Sequence, residues 1–401
     1  MMEVAEALAT VLEHARPRRP EAVPLSPALL GRVVATDVRA DRDSPPFDKA
    51  LRDGYAVVSA DGAVSGSELR IVKEIAAGDA SPVAIRPGEC ARIFTGAPIP
   101  AGADAVVMQE DTQPLDGGRV RITDAAVRPG QWIFRRGTEM KAGDVVLSAG
   151  VPLNAAAIGL LANVGAAAVP AIPWPRVAVL ATGDELVTAN QEPGPGQIRN
   201  SNGPMLASQA VRAGAVVHDF GIARDDSAGL RDRIGEAIAH NDVVILAGGV
   251  SVGKFDLVPG VLQELGVVLH VRQVRMKPGK PLLFGTRGDV LVFGLPGNPV
   301  SGFVCFELFV KPALRVLAGR TDPGPRTLTM PLAEAVAETN DRPTYRPAKL
   351  EPAALGWAVR PLPWAGAPDL RGLRPADALL VLPAGDARFD PGIPVSVVVL
   401  E

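Results

Sequence analysis

Between residues 182 and 299, short loops rich in glycine, proline and acid repeatedly follow hydrophobic runs. They are Thr182-Gly183-Asp184-Glu185, Gly248-Gly249-Val250-Ser251-Val252-Gly253 with Asp256, Lys277-Pro278-Gly279-Lys280-Pro281 and Gly294-Leu295-Pro296-Gly297-Asn298-Pro299, with Asp225-Asp226 as a shorter fifth. If the runs are parallel strands, these loops gather at the carboxyl edge of one sheet, where open α/β sheets bind ligands. Backbone donors, two lysines and several carboxylates in such a place suit a phosphorylated, metal-assisted substrate.

The rhythm supports that sheet. Val177–Leu180, Val216-Val217, Val243–Leu246, Val267–Val271, Leu282–Phe284 and Val290–Phe293 read as strands, the last two as a hairpin. Between them, helices are expected over Asn202–Ala213 (closed by Gly214), from an Asp226 cap to His240, over Asp256–Leu265, and from Asn298 and Pro299 to about Leu317. Such βαβα alternation predicts a mainly parallel sheet with helices on both faces.

The flanks read differently. Val4, Leu8, Val11 and Leu12 mark a short amphipathic helix, and Ser26 with Pro27 marks a second, shorter turn. From Val33 to about Gly150 short β-type runs are split by Gly and Pro, with a hairpin turn at Gly117-Gly118. Asn154 can cap a helix to about Ala162, and Pro170–Pro175 reads as a stiff linker. Past Thr321, dense prolines and the runs Leu328–Met330 and Val395–Leu400 indicate a small β domain. The expected fold class is therefore multidomain α/β: a mainly parallel three-layer α/β domain, an inserted β-rich module, a small mixed linker domain and a C-terminal β domain. The expected boundaries are 1–46 with 138–172, 47–137, 173–320 and 321–401.

Composition excludes several functions. A chain of 401 residues needs more than one core. Lys plus Arg (41) nearly balances Asp plus Glu (44), and aromatics are 4%, so neither the charge nor the stacking surface for nucleic acid is present. Cys90 and Cys305 lie far apart among apolar neighbours and read as buried thiols, and the four histidines are scattered, so a zinc site is not expected. The start lacks the basic and apolar regions of a signal peptide, and the apolar stretch 145–172 is interrupted by Asn and Pro. A cytoplasmic protein without membrane contact is the expectation.

Each loop has a plain and a functional reading. The Gly248–Gly253 loop is neither a Rossmann nor a Walker loop; it can serve as a tight turn or let N–H groups approach an anion. Asp256 reads as a helix cap or as a carboxylate beside that loop, and Asp184 and Glu185 as solvated acids or as ligands for Mg²⁺, which needs only one or two carboxylates. Lys277 and Lys280 are solvated turn residues or a fixed cationic pair. Pro296-Gly297-Asn298-Pro299 aims a helix N-terminus at the same edge.

In this order the motifs resemble the MoeA family of molybdopterin molybdenumtransferases, to which the E domain of gephyrin also belongs. Asp53-Gly54-Tyr55-Ala56, Thr95-Gly96-Ala97-Pro98-Ile99-Pro100, Gln109-Glu110 and Arg135-Arg136-Gly137 extend the resemblance over essentially the whole chain. The resemblance implies a homodimer with a shared interface site, Asp53 facing the partner's α/β domain. It implies Mg²⁺-dependent insertion of molybdenum from molybdate into adenylylated molybdopterin, with release of AMP. It further implies catalytic roles for Asp53, Glu185 and Asp256, and metal contacts from Asp184, Glu185, Asp226 and Asp256. Substrate contacts would come from Thr95, Arg136, Gly248, Gly249, Ser251, Gly253, Lys277, Lys280, Pro296, Asn298 and Pro299.

Three positions depart from the family pattern. Lys49-Ala50-Leu51-Arg52 replaces Asn-Ser-Ala-Met, Thr138-Glu139 replaces Glu-Asp, and Gly366-Ala367 stands where a Gly-Ser pair is usual. They keep open a cofactor-binding or altered-specificity paralogue, including a tungsten-preferring one, and the likeness of the βαβα domain to the adenylyltransferases of the same pathway keeps open a molybdopterin adenylyltransferase.

Overall fold

The computed structural model describes residues 1–62, 65–79, 83–123, 127–249, 257–354 and 356–400. At its centre lies a six-stranded sheet in the order Val216–Ala223, Arg176–Thr182, Val243–Ala247, Val290–Leu295, Pro281–Arg287, Val268–Gln273. The first three pairings are parallel and the last two antiparallel, so the expected hairpin joins a mainly parallel interior to the antiparallel edge strand Val268–Gln273. Arg176–Thr182 and Val243–Ala247 are buried almost throughout because helices cover both faces, which is why they read as continuous apolar runs.

Alternation along these strands feeds two cores. Val177, Val179, Val243 and Ile245 point to one side, with Leu206, Phe306 and Phe309; Ala178, Leu180, Val244 and Leu246 point to the other, with Leu230, Ile234 and Leu262. Helix α1 (Val4–His14) belongs to the first side: Ala7, Val11 and Ala15 are buried in that core. The apolar stripe of α1 is thus covered by the α/β domain.

The helix α2 (Ala155–Asn163) is capped by the Asn154 side chain, which accepts the Ala157 N–H. On the α/β sheet follow α3 (Asn202–Arg212), α4 (Ser227–His240), α5 (Val258–Glu264) and α6 (Pro299–Cys305); α6 runs through a π-helical turn, Phe306–Val310, into α7 (Lys311–Leu317). The stretch expected to be a stiff linker is partly strand: Ala168–Ala171 pairs antiparallel with Glu21–Pro24. Pro170 fits because this is a two-stranded ribbon with no central position.

A mixed six-stranded sheet runs Ala105–Met108, Gly54–Val57, Glu89–Ile93, Glu68–Ile75, Arg119–Ile122, Thr112–Leu115, with the expected hairpin turning at Gly117-Gly118. Gly54 is obligatory there: an added Cβ would lie 1.9 Å from the Val107 carbonyl oxygen. At the C-terminal end, Thr327–Pro331 and Pro394–Val399 pair as neighbours in a five-stranded antiparallel sheet completed by Ala378–Leu382, Thr344–Ala353 and Gly356–Pro361. The sequence shows only the strands nearest the two ends of this domain; prolines interrupt Thr344–Ala353 and end Gly356–Pro361, and Ala378–Leu382 is an apolar run too short to tell strand from helix. No helix among the described residues is long and apolar enough to cross a membrane.

Candidate active site

Three loops meet at the carboxyl edge of the α/β sheet and line a cavity of about 520 Å³. They leave the strands Arg176–Thr182, Val243–Ala247 and Val290–Leu295, whose parallel pairing sets Thr182, Gly248 and Gly297 side by side. Close approach explains the glycines. A Cβ on Gly248 (φ 102°) would lie 2.6 Å from the Thr182 carbonyl oxygen, and one on Gly249 (φ 63°) 2.9 Å from Thr182 Oγ1. The Gly248 N–H donates to the Leu295 carbonyl at 3.0 Å, which leaves the Gly249 N–H as the donor of the described loop that can approach an anion.

Two helix N-termini open on the same cavity, α3 through Ser201 and Asn202, and α6 through Asn298 and Pro299. Pro299 occupies the first turn of α6 as expected, but the Asn298 side chain makes no capping hydrogen bond, nor does that of Ser201 or Ser26. The α3 end is capped by Asn200, whose Oδ1 accepts the Gly203 N–H at 2.9 Å, whereas no side chain caps α6 and the Val300 N–H goes to the Ala367 carbonyl; the positive ends of both helix dipoles face the cavity.

Two buried polar atoms are left unpaired here. Thr182 is 3% exposed, yet its Oγ1 has no partner, and the Asn202 Oδ1 also has none, although its Nδ2 donates to the Gly297 carbonyl at 2.7 Å. Unpaired buried polar atoms are costly in a native fold, and at a cavity wall they fit a ligand that completes them.

The acids take distinct places. Glu185 lines the cavity, exposed, and its carboxylate folds back over Gly183. Asp184 is exposed and accepts the Asp225 N–H at 3.2 Å, and Asp225 itself lines the cavity. Asp226 instead caps α4 by accepting the Gly229 N–H at 3.1 Å. Among the described residues no group of three or more His, Cys, Asp or Glu could hold a metal. Ser251, Gly253 and Asp256 lie outside the described residues.

The lysine loop lies apart from this cavity. Lys277 donates to Glu338 Oε1 at 2.8 Å, its N–H goes to the Pro343 carbonyl, and its own carbonyl accepts the Tyr345 N–H. It thereby ties the α/β domain to the C-terminal sheet. Gly279 sits where a Cβ would meet Cys305 Sγ at 2.7 Å. Lys280 is exposed and makes no ion pair among the described residues, and Pro296 is buried behind the cavity loop.

A second group gathers in the β-rich module. Asp53 Oδ1 accepts both the N–H and the hydroxyl of Thr95, each at 2.8 Å. Those bonds hold the Asp53 carboxyl below the ordinary carboxylate range. Arg136 donates through Nε to Asp43 at 2.6 Å, and Arg135 donates to Asp48. The Ala142 N–H and the Arg136 guanidinium hold Asp43 low. Lys49 lies over the Phe134 ring and Arg52 over the Trp132 ring, so the cations of the altered segment stack on aromatic rings beside their own strands. Asp53, Thr95 and Arg136 do not line the α/β cavity of their own chain.

Sequence reading overlooked Ile198–Asn202, Pro368 and Leu370, which also line the cavity. A short parallel pairing of Leu186–Val187 with Ile198–Arg199 brings the first of these beside Glu185. The Asn200-Ser201-Asn202 cluster ahead of the helix is the available signal, and polar residues of this kind mark a helix start as readily as a ligand site. Pro368 and Leu370 carry no such signal. They arrive because the Ala367 carbonyl accepts the Val300 N–H of α6, which draws the altered segment Gly366-Ala367 to the cavity rim.

Residues 2–165 match the MoeA N-terminal region (domain I and II), residues 178–316 a "Probable molybdopterin binding domain", and residues 329–400 the MoeA C-terminal region (domain IV). The chain is 36% identical over 379 residues to a molybdopterin molybdenumtransferase of Staphylococcus aureus, covering 93% of this chain and 89% of that one. It is 43% identical over 296 residues to one of Nostoc, covering 72% and 67%. Among solved structures, a molybdopterin biosynthesis MoeA protein from Pyrococcus horikosii superposes with a TM-score of 0.84 at 32% identity, over 100% of this chain and 99% of that one.

Proposed function

From the premise that this chain belongs to the MoeA family, as a molybdopterin molybdenumtransferase of molybdenum-cofactor biosynthesis, we propose how its site works. The substrate is adenylylated molybdopterin, the second substrate molybdate, and the products are molybdenum-loaded pterin and AMP. The observation that carries this reading is the convergence of the Gly248-Gly249 backbone, the N-termini of α3 and α6, and Glu185 on one cavity. The Gly249 N–H and the positive dipole ends of α3 and α6 suit the phosphates of the adenylylated pterin, and the unpaired Thr182 Oγ1 and Asn202 Oδ1 suit its hydroxyl or amino groups.

The residues at the cavity mouth fit Mg²⁺. Glu185 and the adjacent Asp184 supply hard oxygen donors, and one or two carboxylates with ligand phosphate suffice for this ion. Its chemistry, when bound, is neutralisation of charge on the phosphoanhydride. Asp226 is a poor metal ligand because its carboxylate caps α4. We assign to Glu185, which lines the cavity, the proton of the water that cleaves the phosphoanhydride, and to Asp256 a share in that work. The two pterin thiols form the Mo–S bonds as one oxo ligand of molybdate leaves as water, taking up the two thiol protons, with molybdenum staying in its oxidation state.

Asp53, Thr95 and Arg136 enter through a second copy of the chain. They form an ordered, exposed group that does not line the cavity of its own chain. In a homodimer with a shared site, the partner's module brings them to the substrate, with Lys280, exposed and without a carboxylate partner among the described residues, as a further cation. Lys277 contributes by fixing the loop to Glu338.

AMP release and molybdenum in the pterin product, measured together with and without molybdate and Mg²⁺, test the reading. Release that needs molybdate and yields loaded pterin supports it. Tight pterin binding without release would favour a carrier protein instead. Sedimentation as a monomer at micromolar concentration would remove the shared site.

A further inference from the structure

Lys49 and Arg52 of the β-rich module carry charges that nothing in the fold neutralises. Neither side chain makes a hydrogen bond or an ion pair among the described residues. The acids of the same stretch are committed elsewhere. Asp48 accepts from the Arg135 guanidinium at 2.6 Å and from the Arg136 N–H at 2.8 Å, and Asp53 accepts both donors of Thr95.

Each cation is laid instead on an aromatic ring. The strand Lys49–Ala50 pairs antiparallel with Ile133–Phe134, which sets Lys49 directly opposite Phe134, and its Nζ stands 5.3 Å from the ring centroid. Further along the same ribbon, the Leu51 N–H donates to the Trp132 carbonyl at 2.9 Å, and the Arg52 guanidinium lies 4.9 Å from the Trp132 ring centroid.

The Trp132 ring is fixed beneath Arg52. Trp132 is the one residue other than glycine with positive φ among the described residues, at 51°, a conformation that a bulky side chain rarely adopts. Its turn is pinned on both sides: the Gln131 carbonyl accepts the Val106 N–H at 2.9 Å, and the Ile133 N–H goes to the Gly130 carbonyl at 3.2 Å. The left-handed residue lets Trp132 pack against the core of the module beside its buried neighbour Ile133, where a regular strand would send the two to opposite faces.

A cation over a ring face uses none of its N–H bonds. The stacked guanidinium keeps its donors at the edge, in a planar fork that matches two oxygens of one acceptor, and the ammonium adds a compact charge. Donors held in place before binding lose little freedom when an acceptor arrives. Lys49 and Arg52 are therefore a prepared pair without an acceptor among the described residues, on the chain segment that leads into Asp53. The Asn and Met of the family pattern at these two places carry no charge.

We propose that Lys49 and Arg52 bind a tetrahedral oxyanion at the shared site, either molybdate or the adenylyl phosphate of the pterin substrate. The assignment rests on the proposed function, which brings both anions to the group around Asp53. Arg52 supplies the paired donors, Lys49 supplies charge, and the two set the affinity for that anion.

The test follows Trp132 by fluorine NMR in the full chain carrying 5-fluorotryptophan, its resonance assigned among the four tryptophans with Trp132→Phe. Molybdate alone and AMP alone are titrated in place of chloride at constant ionic strength. A saturable movement of the Trp132 signal is expected, and the anion that causes it is the one bound. Arg52→Met should weaken the response by about tenfold or more, and Arg52→Lys by about threefold, since an ammonium keeps the charge but loses the fork. Lys49→Asn should weaken it too, and serves as the independent variant should Arg52→Met fold poorly. In turnover, Arg52→Met should raise the KM for the substrate carrying that anion by about tenfold or more and leave kcat within about threefold, a split that a merely structural role would not produce. A Trp132 signal silent to both anions, or equal affinity in the parent chain, Arg52→Met and Lys49→Asn, overturns the proposal even where AMP release is normal. Saturable binding at Trp132 without AMP release would instead remove the proposed function and leave the cation pair as an anion site.

Discussion

Asp53 receives both hydrogen-bond donors of Thr95, main chain and side chain, on the same carboxylate oxygen at 2.8 Å. The Asp-Gly-Tyr-Ala and Thr-Gly-Ala-Pro stretches are thus one structural unit, although 42 residues apart. The pair has a pH signature. The Thr95 N–H and then its hydroxyl lower the Asp53 pKa from 3.8. A lowered folded pKa adds stability above the unfolded value, lost as pH falls through the folded one. Asp53 should stay ionised throughout the neutral range, and only below pH 3.8 should this pair weaken. In Thr95→Val one of the two bonds is gone, so the Asp53 carboxyl resonance should titrate at higher pH by carbon-13 NMR. An unchanged midpoint would mean that the hydroxyl bond does not form in solution.

Gly54→Ala should damage the β-rich module severely. The added methyl would sit 1.9 Å from the Val107 carbonyl oxygen, with main chain rather than a movable side chain as the obstacle. A loss of about 3 kcal/mol or more is expected in urea unfolding. A loss under 1 kcal/mol would show that the neighbouring strand can yield.

Glu185→Gln should reduce the rate of AMP release at least about a hundredfold while leaving pterin affinity within a few-fold. Gly249→Ala should do the reverse, since its methyl would press on Thr182 Oγ1 and Val258 at 2.9 Å each and spoil the loop that holds the substrate. Equal loss of binding in both variants would contradict the division of roles.

The ion pair between Lys277 and Glu338 should couple the α/β domain to the C-terminal sheet only modestly. Lys277 is 40% exposed, so solvent screens the pair. A double-mutant cycle with Lys277→Met and Glu338→Gln is expected to return about 0.5–1 kcal/mol. A coupling near zero would leave the main-chain bonds to Pro343 and Tyr345 as the real joint.

Both cysteines should be inert in the native protein. Burial pushes the Cys90 thiol up to about 12 and raises Cys305 further. Thiolate is therefore scarce at neutral pH. A chromogenic disulfide reagent at pH 8 should register no thiol until denaturant is added, then two. Rapid labelling of the native protein would show that one core opens readily.

Much of the architecture was written in local chemistry. The apolar runs Val177–Leu180 and Val243–Leu246 marked central strands, and Asn154 and Asp226 marked helix starts, because caps and periodicity act over a few residues. Glycine positions carried the same kind of message: Gly248 and Gly249 signalled a tight loop whatever surrounds it. Other features depended on which distant surfaces meet. The sequence showed α1 as amphipathic but could not show that its apolar stripe belongs to the α/β core. It showed two lysines beside one loop, and only packing directed Lys277 to Glu338. It marked Asp225-Asp226 as one acidic pair, whereas the fold gave Asp225 to the cavity and Asp226 to a helix cap. Pro368 and Leu370 reached the rim of the candidate site through contacts between segments far apart in the chain. Propensity and patterning are local and survive in a linear reading; the direction of a side chain and its partner are set by long-range packing, which only the folded chain resolves.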